Sequence, residues 1–213
     1  ASLQFPRPKI RRILAETGGG RTKAAACGGS RPAVRDLQAR DLRAADAVVA
    51  ISASGYAPYC RAALDYAREV GALAIALSCN ENAPQSAHAD IAIEAPTGAE
   101  ILSGSTRLKA GTATKLILNM LSTGAMVQMG KVYKNLMVDV RATNAKLRDR
   151  SVRIVMQATG LERAAAQALL EEAGGIKTAI VMHEARCPRE AAQRALEAAD
   201  GFVARAIEGV ARS

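Results

Sequence analysis

Two short apolar runs separated by a helical pattern constrain the fold of this chain most. Residues 47–51 and 72–77 are continuous apolar runs of strand length, the kind that is buried on both faces of a parallel sheet. Between them, residues 58–70 have helical spacing, begin with a proline and are followed by Gly71. A third short strand is predicted at 91–93. The pattern predicts alternating strands and helices built around a parallel sheet.

A polar loop follows the first of these strands. Ser52, Ser54 and Gly55 stand between the strand and the helix, which is entered through Pro58. In an open parallel sheet, ligands collect at the carboxyl ends of the strands. This Ser-x-Ser-Gly loop is therefore predicted to wrap a phosphosugar.

A second cluster of hydroxyls and cations lies within residues 98–119, where it opens directly into an apolar helical run. Free backbone N–H groups at a helix N-terminus, together with the positive end of the helix dipole, attract phosphate or carboxylate. The alternative is that the hydroxyls only cap the helix and that the cations are solvated. The residues of this predicted anion site are Ser105, Thr106, Arg107, Lys109, Thr112 and Thr114.

The pattern after this cluster is helical. Residues 109–130 predict a long helix that is apolar nearly all round, and such a helix is expected in the core or at a subunit contact. After about Asn144 the pattern changes to short amphipathic helices with polar breaks, which predicts a small helical domain. Its helices are predicted at 148–159, 161–173, 176–183 and from Pro188 to about Ala204.

The net charge of +9 belongs to the first part of the chain. Residues 1–45 hold ten Lys and Arg against three acids, whereas residues 46–213 hold 19 against 17. This basic segment could bind duplex phosphates by counterion release. However, Phe5 is its only aromatic residue and the chain has no Trp, which argues against base stacking. Nucleic acid is therefore not the expected partner.

The sequence predicts no metal site, no redox cofactor and no membrane span. Its cysteines stand singly and its two histidines lie far apart, so neither a metal centre nor a His-driven triad is expected. No run approaches the roughly 18 apolar residues of a membrane span, and no signal-peptide pattern begins the chain. A cytoplasmic protein without a cofactor is expected. The residues concerned are Cys27, Cys60, Cys79, Cys187, His88 and His183.

These motifs, with others that follow in the same order, resemble a known family. The Ser-Ala-Ser-Gly and Gly-Ser-Thr-Arg-Leu-Lys-Ala-Gly-Thr-Ala segments resemble the sugar isomerase (SIS) domain, and the run from Asp46 to Glu208 resembles the N-acetylmuramic acid 6-phosphate etherases. Further matching segments lie at 77–80, 89–93, 121–140 and 142–147. The resemblance implies an α/β fold: an SIS-type (Rossmann-like) parallel sheet flanked by helices, with an incomplete N-terminal part, followed by a small C-terminal helical domain.

The resemblance also implies a division of the chain into three parts. An atypical basic segment at 1–45 would be the remnant of the first half of the SIS domain. The SIS domain itself would span 46–147, and the small helical domain would span 148–213. A strand of the family is faintly suggested in the basic segment by Phe5, Lys9, Ile10 and Ala15.

The activity implied by the resemblance is a carbon–oxygen lyase of cell-wall amino sugar catabolism. The D-lactyl ether at C3 of N-acetylmuramic acid 6-phosphate would be cleaved to N-acetylglucosamine 6-phosphate and D-lactate. Elimination needs a base for the C2 proton and an acid for the departing lactate oxygen, and carboxylates with a raised pKa suit both roles. A homodimer is implied as well. The implied substrate-binding residues are Ser52, Ser54, Gly55, Ser105, Thr106, Arg107 and Lys109.

The chain departs from this family where the family has its two catalytic glutamates. One belongs to a segment ahead of the matched region, and the other falls near Ala24, in a stretch without any acid. Tyr56 and Ala57 stand where the family usually has Arg and Thr, which is expected to weaken phosphosugar binding. Glu100 is a weak catalytic candidate and is favoured as a structural or ligand-contact residue. The other acids near the predicted cleft are Glu81 and Glu94.

Two function classes follow from these observations. The first is an etherase, represented by a truncated, frameshifted or diverged chain that is inactive if nothing replaces the missing glutamates. The second is a non-catalytic phosphosugar-binding or regulatory SIS module, similar in kind to the glucokinase regulatory proteins. An aldose–ketose isomerase is disfavoured because the motifs at 121–147 resemble the etherases.

Overall fold

The computed structural model describes residues 13–17, 31–140 and 142–212. The position near Ala24 and most of the basic segment lie outside the described residues. The chain divides into two compact units, one ending at Leu118 and one beginning at Asn119, and each is described by itself. The boundaries predicted from the sequence at 45/46 and 147/148 stay predictions.

The first unit is built on a four-stranded parallel sheet with the strand order β1-β2-β3-β4. Continuous apolar sequence makes its inner strands, because every residue of β2 is buried and so are five of the six residues of β3. The predicted parallel sheet is confirmed, and β1 contains Ala15. The strands are β1 (Ile13–Thr17), β2 (Ala47–Ile51), β3 (Leu73–Ser78) and β4 (Ile91–Glu94).

Two helices of the first unit pack with this sheet. Helix α1 is Arg31–Ala39, and α2 is Pro58–Val70, as predicted. Gly71 ends α2 in a left-handed conformation (φ 81°) that glycine adopts without strain. Apolar side chains of both helices and of the sheet share one core, among them Leu37, Leu64 and Val48.

Helix α3, Lys109–Gln128, is not a core helix. Its length agrees with the prediction, but Ala110 is its only buried residue, and Met120 keeps 67% of its surface exposed. The prediction of burial in the core is therefore wrong for the chain by itself. An apolar composition favours burial of a helix, but burial also needs other residues that cover the helix. Few residues of the described chain cover α3. The alternative prediction, a subunit contact, stays open.

The second unit is helical, and its core is formed by apolar residues such as Val155, Ile180 and Val203. Its predicted last helix is in fact two, because Asp200 (φ 52°) and Gly201 (φ 77°) adopt left-handed conformations that interrupt it. The elements are the antiparallel pair β5 (Val132–Tyr133) and β6 (Leu136–Met137), then α4 (Ala145–Thr159), α5 (Arg163–Ala173), α6 (Ile176–Glu184), α7 (Arg189–Ala198) and α8 (Val203–Ala211).

Candidate functional site

The Ser52–Gly55 loop is a compact turn at the carboxyl end of β2. The backbone N–H of Gly55 donates to the Ser52 carbonyl (3.0 Å) and to the Ser52 hydroxyl (3.1 Å). The N–H of Tyr56 donates to the Ser54 hydroxyl (3.3 Å), and the two serine hydroxyls lie 3.5 Å apart. The structure therefore brings Ser52, Ser54 and Gly55 together in one turn, and their role toward a ligand stays a prediction.

Gly55 is required here by both conformation and space. Its φ is 75°, and a Cβ at this position would lie 2.5 Å from the Cβ of Ala83. No side chain fits at that distance, so the loop backbone is pressed directly onto the turn that contains Ala83. Gln85 of the same turn donates its backbone N–H to the Gly55 carbonyl (3.2 Å).

The segment that follows β3 holds the other side of the loop. The Cys79 N–H donates to the Ala53 carbonyl (2.9 Å), and the Asn80 side-chain amide donates to the Ser54 carbonyl (3.4 Å). The Cys79 Sγ also lies 3.6 Å from both the Ala110 carbonyl and the Thr114 hydroxyl of α3. Cys79 thus connects the loop with the start of α3, a role that its isolated position in the sequence does not reveal.

The first amides of α3 are bound by a carboxylate of the chain itself. Glu100 accepts hydrogen bonds from the backbone N–H of Lys109 (3.0 Å) and of Ala110 (3.1 Å). These two N–H groups bind the charged form and hold the pKa of Glu100 below its usual range. The expectation that the N–H groups at this helix start are free is wrong for these two residues. A lowered pKa is also the opposite of what a general acid needs near neutral pH.

The hydroxyls and cations around the start of α3 are mostly exposed to solvent. Thr106, Arg107 and Lys109 are exposed, Ser105 is half-buried, and the Lys109 ammonium donates to the Ala99 carbonyl (2.8 Å). Within residues 31–140, no hydrogen bond joins Ser105, Thr106 or Arg107 to the Ser52–Gly55 loop. Their role toward a ligand stays a prediction.

Glu94, at the end of β4, binds the turn that supports the loop. Its carboxylate accepts hydrogen bonds from the Ser86 hydroxyl (2.6 Å) and from the backbone N–H groups of Asn82 (2.8 Å) and Ala83 (2.9 Å). These donors, Ser86 foremost, lower the pKa of Glu94. The sequence identified Glu94 only as an acid near the predicted cleft. Its position at the carboxyl end of a strand was the available signal for a role at this edge of the sheet.

The described residues were also compared with the requirements of a metal site and of a membrane-spanning helix. No three His, Cys, Asp or Glu residues come together there as a metal ion would need. None of the helices described is long and apolar enough to cross a bilayer. His88 pairs instead with Asp65 through its Nδ1 (2.7 Å).

Comparison with known proteins finds a domain family and several relatives that resemble this chain. Residues 22–124 match the SIS domain family. The chain is 58% identical over 173 residues to an N-acetylmuramic acid 6-phosphate etherase of Oenococcus oeni and 51% identical over 177 residues to one of a Geobacillus species. It is 53% identical over 174 residues to N-acetylmuramic acid 6-phosphate etherase 2 of Vibrio cholerae. These alignments cover 81–83% of this chain, which spans only 57–60% of the length of the relatives.

Proposed function

This chain belongs to the N-acetylmuramic acid 6-phosphate etherase family and matches the SIS domain, and we propose that it acts on the phosphorylated amino sugar after which these relatives are named. The observation that carries the proposal is the Ser52–Gly55 loop at the carboxyl end of β2, in a chain that is 58% and 51% identical to two of these relatives over 173 and 177 aligned residues. The reaction proposed is cleavage of the lactyl ether of N-acetylmuramic acid 6-phosphate.

The loop has the donors that a phosphate needs. The Ser52 and Ser54 hydroxyl oxygens both accept a backbone N–H, so their hydroxyl hydrogens can be donated to phosphate oxygens. Gly55 is buried against Ala83, so its part in the proposed site is to let the loop backbone close, with a φ of 75°. Ser105, Thr106, Arg107 and Lys109 are proposed to complete the site, with the two cations balancing the phosphate charge.

The chemistry of the proposed reaction is an elimination followed by hydration. A base removes the C2 proton of the open-chain sugar, the bond between C3 and the ether oxygen breaks, and lactate leaves with a proton from an acid. Water then adds across the C2–C3 double bond to give N-acetylglucosamine 6-phosphate. The carboxylates of Glu94 and Glu100 both have a lowered pKa and accept backbone N–H groups, which makes them poor candidates for the acid or the base.

The lowered pKa of Glu94 and Glu100, and their hydrogen bonds with backbone N–H groups, favour a second candidate function. A module that binds a phosphorylated amino sugar without converting it needs the loop but no acid and no base. The alternative is therefore a non-catalytic phosphosugar-binding or regulatory module.

A lactate-release assay separates the two functions. The purified chain is incubated with N-acetylmuramic acid 6-phosphate, and D-lactate is measured beside a thermal-shift titration with N-acetylglucosamine 6-phosphate. Release of D-lactate supports the etherase. A thermal shift without lactate supports the binding module, and the absence of both signals contradicts a phosphosugar function of this chain.

We further propose a homodimer and a cytoplasmic location. The exposed apolar residues of α3, among them Leu116, Met120 and Val127, form a surface that a second copy would cover. Sugar phosphates do not cross membranes unaided, which agrees with a protein that meets its ligand in the cytoplasm.

A further inference from the structure

We propose that Glu94 is a positioning residue for the phosphosugar: acting through the turn 82–86, it holds the Ser52–Gly55 loop in its binding conformation. This inference rests on the proposed function of the loop. It adds a residue that lies outside the loop and acts only through the turn.

Glu94 is hydrogen-bonded directly to the turn 82–86. One carboxylate oxygen accepts the N–H of Asn82, and the other accepts both the N–H of Ala83 and the hydroxyl of Ser86. Asn82 has a left-handed backbone (φ 54°), which costs free energy for a residue other than glycine. An anionic acceptor bound to three donors of this turn offsets that cost and fixes the turn.

The turn 82–86 in turn contacts the Ser52–Gly55 loop. Ala83 packs where a Cβ of Gly55 would lie, and the Gln85 N–H donates to the Gly55 carbonyl. The buried Gln85 side chain donates its Nε2 to the Leu77 carbonyl (2.9 Å), which also accepts the N–H of Ser52 (3.0 Å). The turn therefore contacts the loop directly at Gly55 and is connected to Ser52 through the shared Leu77 carbonyl.

Support from the turn is expected to strengthen binding of the phosphosugar by the loop. A loop that is held in one conformation loses less entropy when the ligand binds than a loop that must first be ordered. The hydroxyls of Ser52 and Ser54 are kept 3.5 Å apart, close enough for both to reach one phosphate group. Removal of the Glu94 anion is expected to loosen the turn and with it the spacing of the two hydroxyls.

The test uses Glu94→Gln with a reporter in the loop. A side-chain amide keeps one acceptor oxygen but turns an NH2 group toward a backbone N–H, so at least one hydrogen bond is lost. The chain contains no tryptophan and Tyr56 is 67% exposed, so Tyr56→Trp places a single tryptophan beside Ser54. Acrylamide quenching of this tryptophan reports loop mobility. Titration with N-acetylglucosamine 6-phosphate in the Tyr56 background reports affinity.

The expected result is increased quenching and an affinity about tenfold lower in Glu94→Gln, at temperatures where the variant is still folded by circular dichroism. Glu81→Gln is the matched control, since Glu81 is exposed in the neighbouring sequence, and it should leave both signals unchanged. A reporter or an affinity that does not change in Glu94→Gln overturns the proposal.

Two further outcomes keep this test decisive. If Glu94→Gln does not fold, Ser86→Ala removes only one of the three hydrogen bonds and should raise the quenching to a smaller extent, and unchanged quenching in Ser86→Ala would overturn the proposal. If the unmodified chain does not bind the sugar phosphate, the proposed function fails. The quenching of the tryptophan then decides by itself whether Glu94 holds the loop.

Discussion

The Ser52–Gly55 loop and the segment 101–108 carry similar side chains but are built differently. The first is fixed by hydrogen bonds from Cys79, Asn80 and Gln85, and its glycine is buried. The second is mostly exposed, with Ile101 and Leu102 exposed by 91% and 67%. Hydroxyls in a sequence therefore do not by themselves indicate an ordered loop; contacts with the rest of the unit fix its conformation.

The largest expected effect comes from a side chain at Gly55. Gly55→Ala adds a methyl group 2.5 Å from the Ala83 Cβ at a backbone φ of 75°, and we expect a loss of about 2–4 kcal/mol in the free energy of unfolding. Gly104, in the exposed segment, has a φ of 80°, but no atom lies within 4 Å of the position that a Cβ would take. For Gly104→Ala we therefore expect a loss of about 1 kcal/mol in the free energy of unfolding. Urea unfolding of both variants measures the difference. Equal losses would mean that the two segments are packed alike.

The exposed segment 101–108 is followed by α3, whose apolar residues are also exposed. A charge on this apolar surface of α3 should break the proposed dimer. Met120→Glu places a carboxylate on that surface, which is costly to bury without a partner. We expect light scattering after size-exclusion chromatography to give the monomer mass. Gln38→Glu, which places the same charge on the exposed surface of α1, is the control and should keep the dimer mass. A dimer that survives Met120→Glu would exclude this part of α3 from the contact.

Glu100 is the anchor of the exposed segment, and its removal tests how far that segment depends on it. Glu100→Gln weakens the capping of α3, so we expect a thermal midpoint lower than that of the unmodified chain, with a smaller drop than in Gly55→Ala. Any lactate release should persist, because Glu100 serves as an acceptor for backbone N–H groups. Complete loss of lactate release in a folded variant would instead identify Glu100 as a catalytic residue.

A smaller effect is expected from pH. Glu94 and Glu100 have a folded-state pKa below the ordinary 4.5, so their stabilisation is present above that value and is lost as the pH falls through the folded-state pKa. The thermal midpoint of the unmodified chain should therefore fall between pH 5 and pH 3. The fall should be smaller in Glu94→Gln/Glu100→Gln, and an identical fall in both proteins would show that these carboxylates do not contribute.

Local signals in the sequence predicted the first unit well. Pro58 and Gly71 mark both ends of α2, and the uninterrupted apolar runs mark strands that are buried on both sides. The Ser-x-Ser-Gly motif identified a loop that the structure forms from Ser52 to Gly55. Each of these features depends on residues that are close together in the sequence, where propensity and periodicity are informative.

Features that depend on distant partners were not predicted. Glu100 reaches the helix start nine residues later, and Glu94 reaches back twelve residues to Asn82, so no local pattern reveals either contact. The exposure of α3 depends on what else the chain provides to cover it. The break at Asp200 and Gly201 was different, because the Asp-Gly pair was a turn signal within reach of the sequence.

The most direct test of the account is calorimetric titration of the chain and of Ser54→Ala with N-acetylglucosamine 6-phosphate. Ser54 is exposed, so its alanine variant should keep the fold while losing one hydroxyl donor to a charged phosphate, and we expect affinity to fall about tenfold or more. Saturable binding that is weakened in Ser54→Ala is the predicted result. No binding, or equal binding by both proteins, would contradict a phosphosugar site at the Ser52–Gly55 loop.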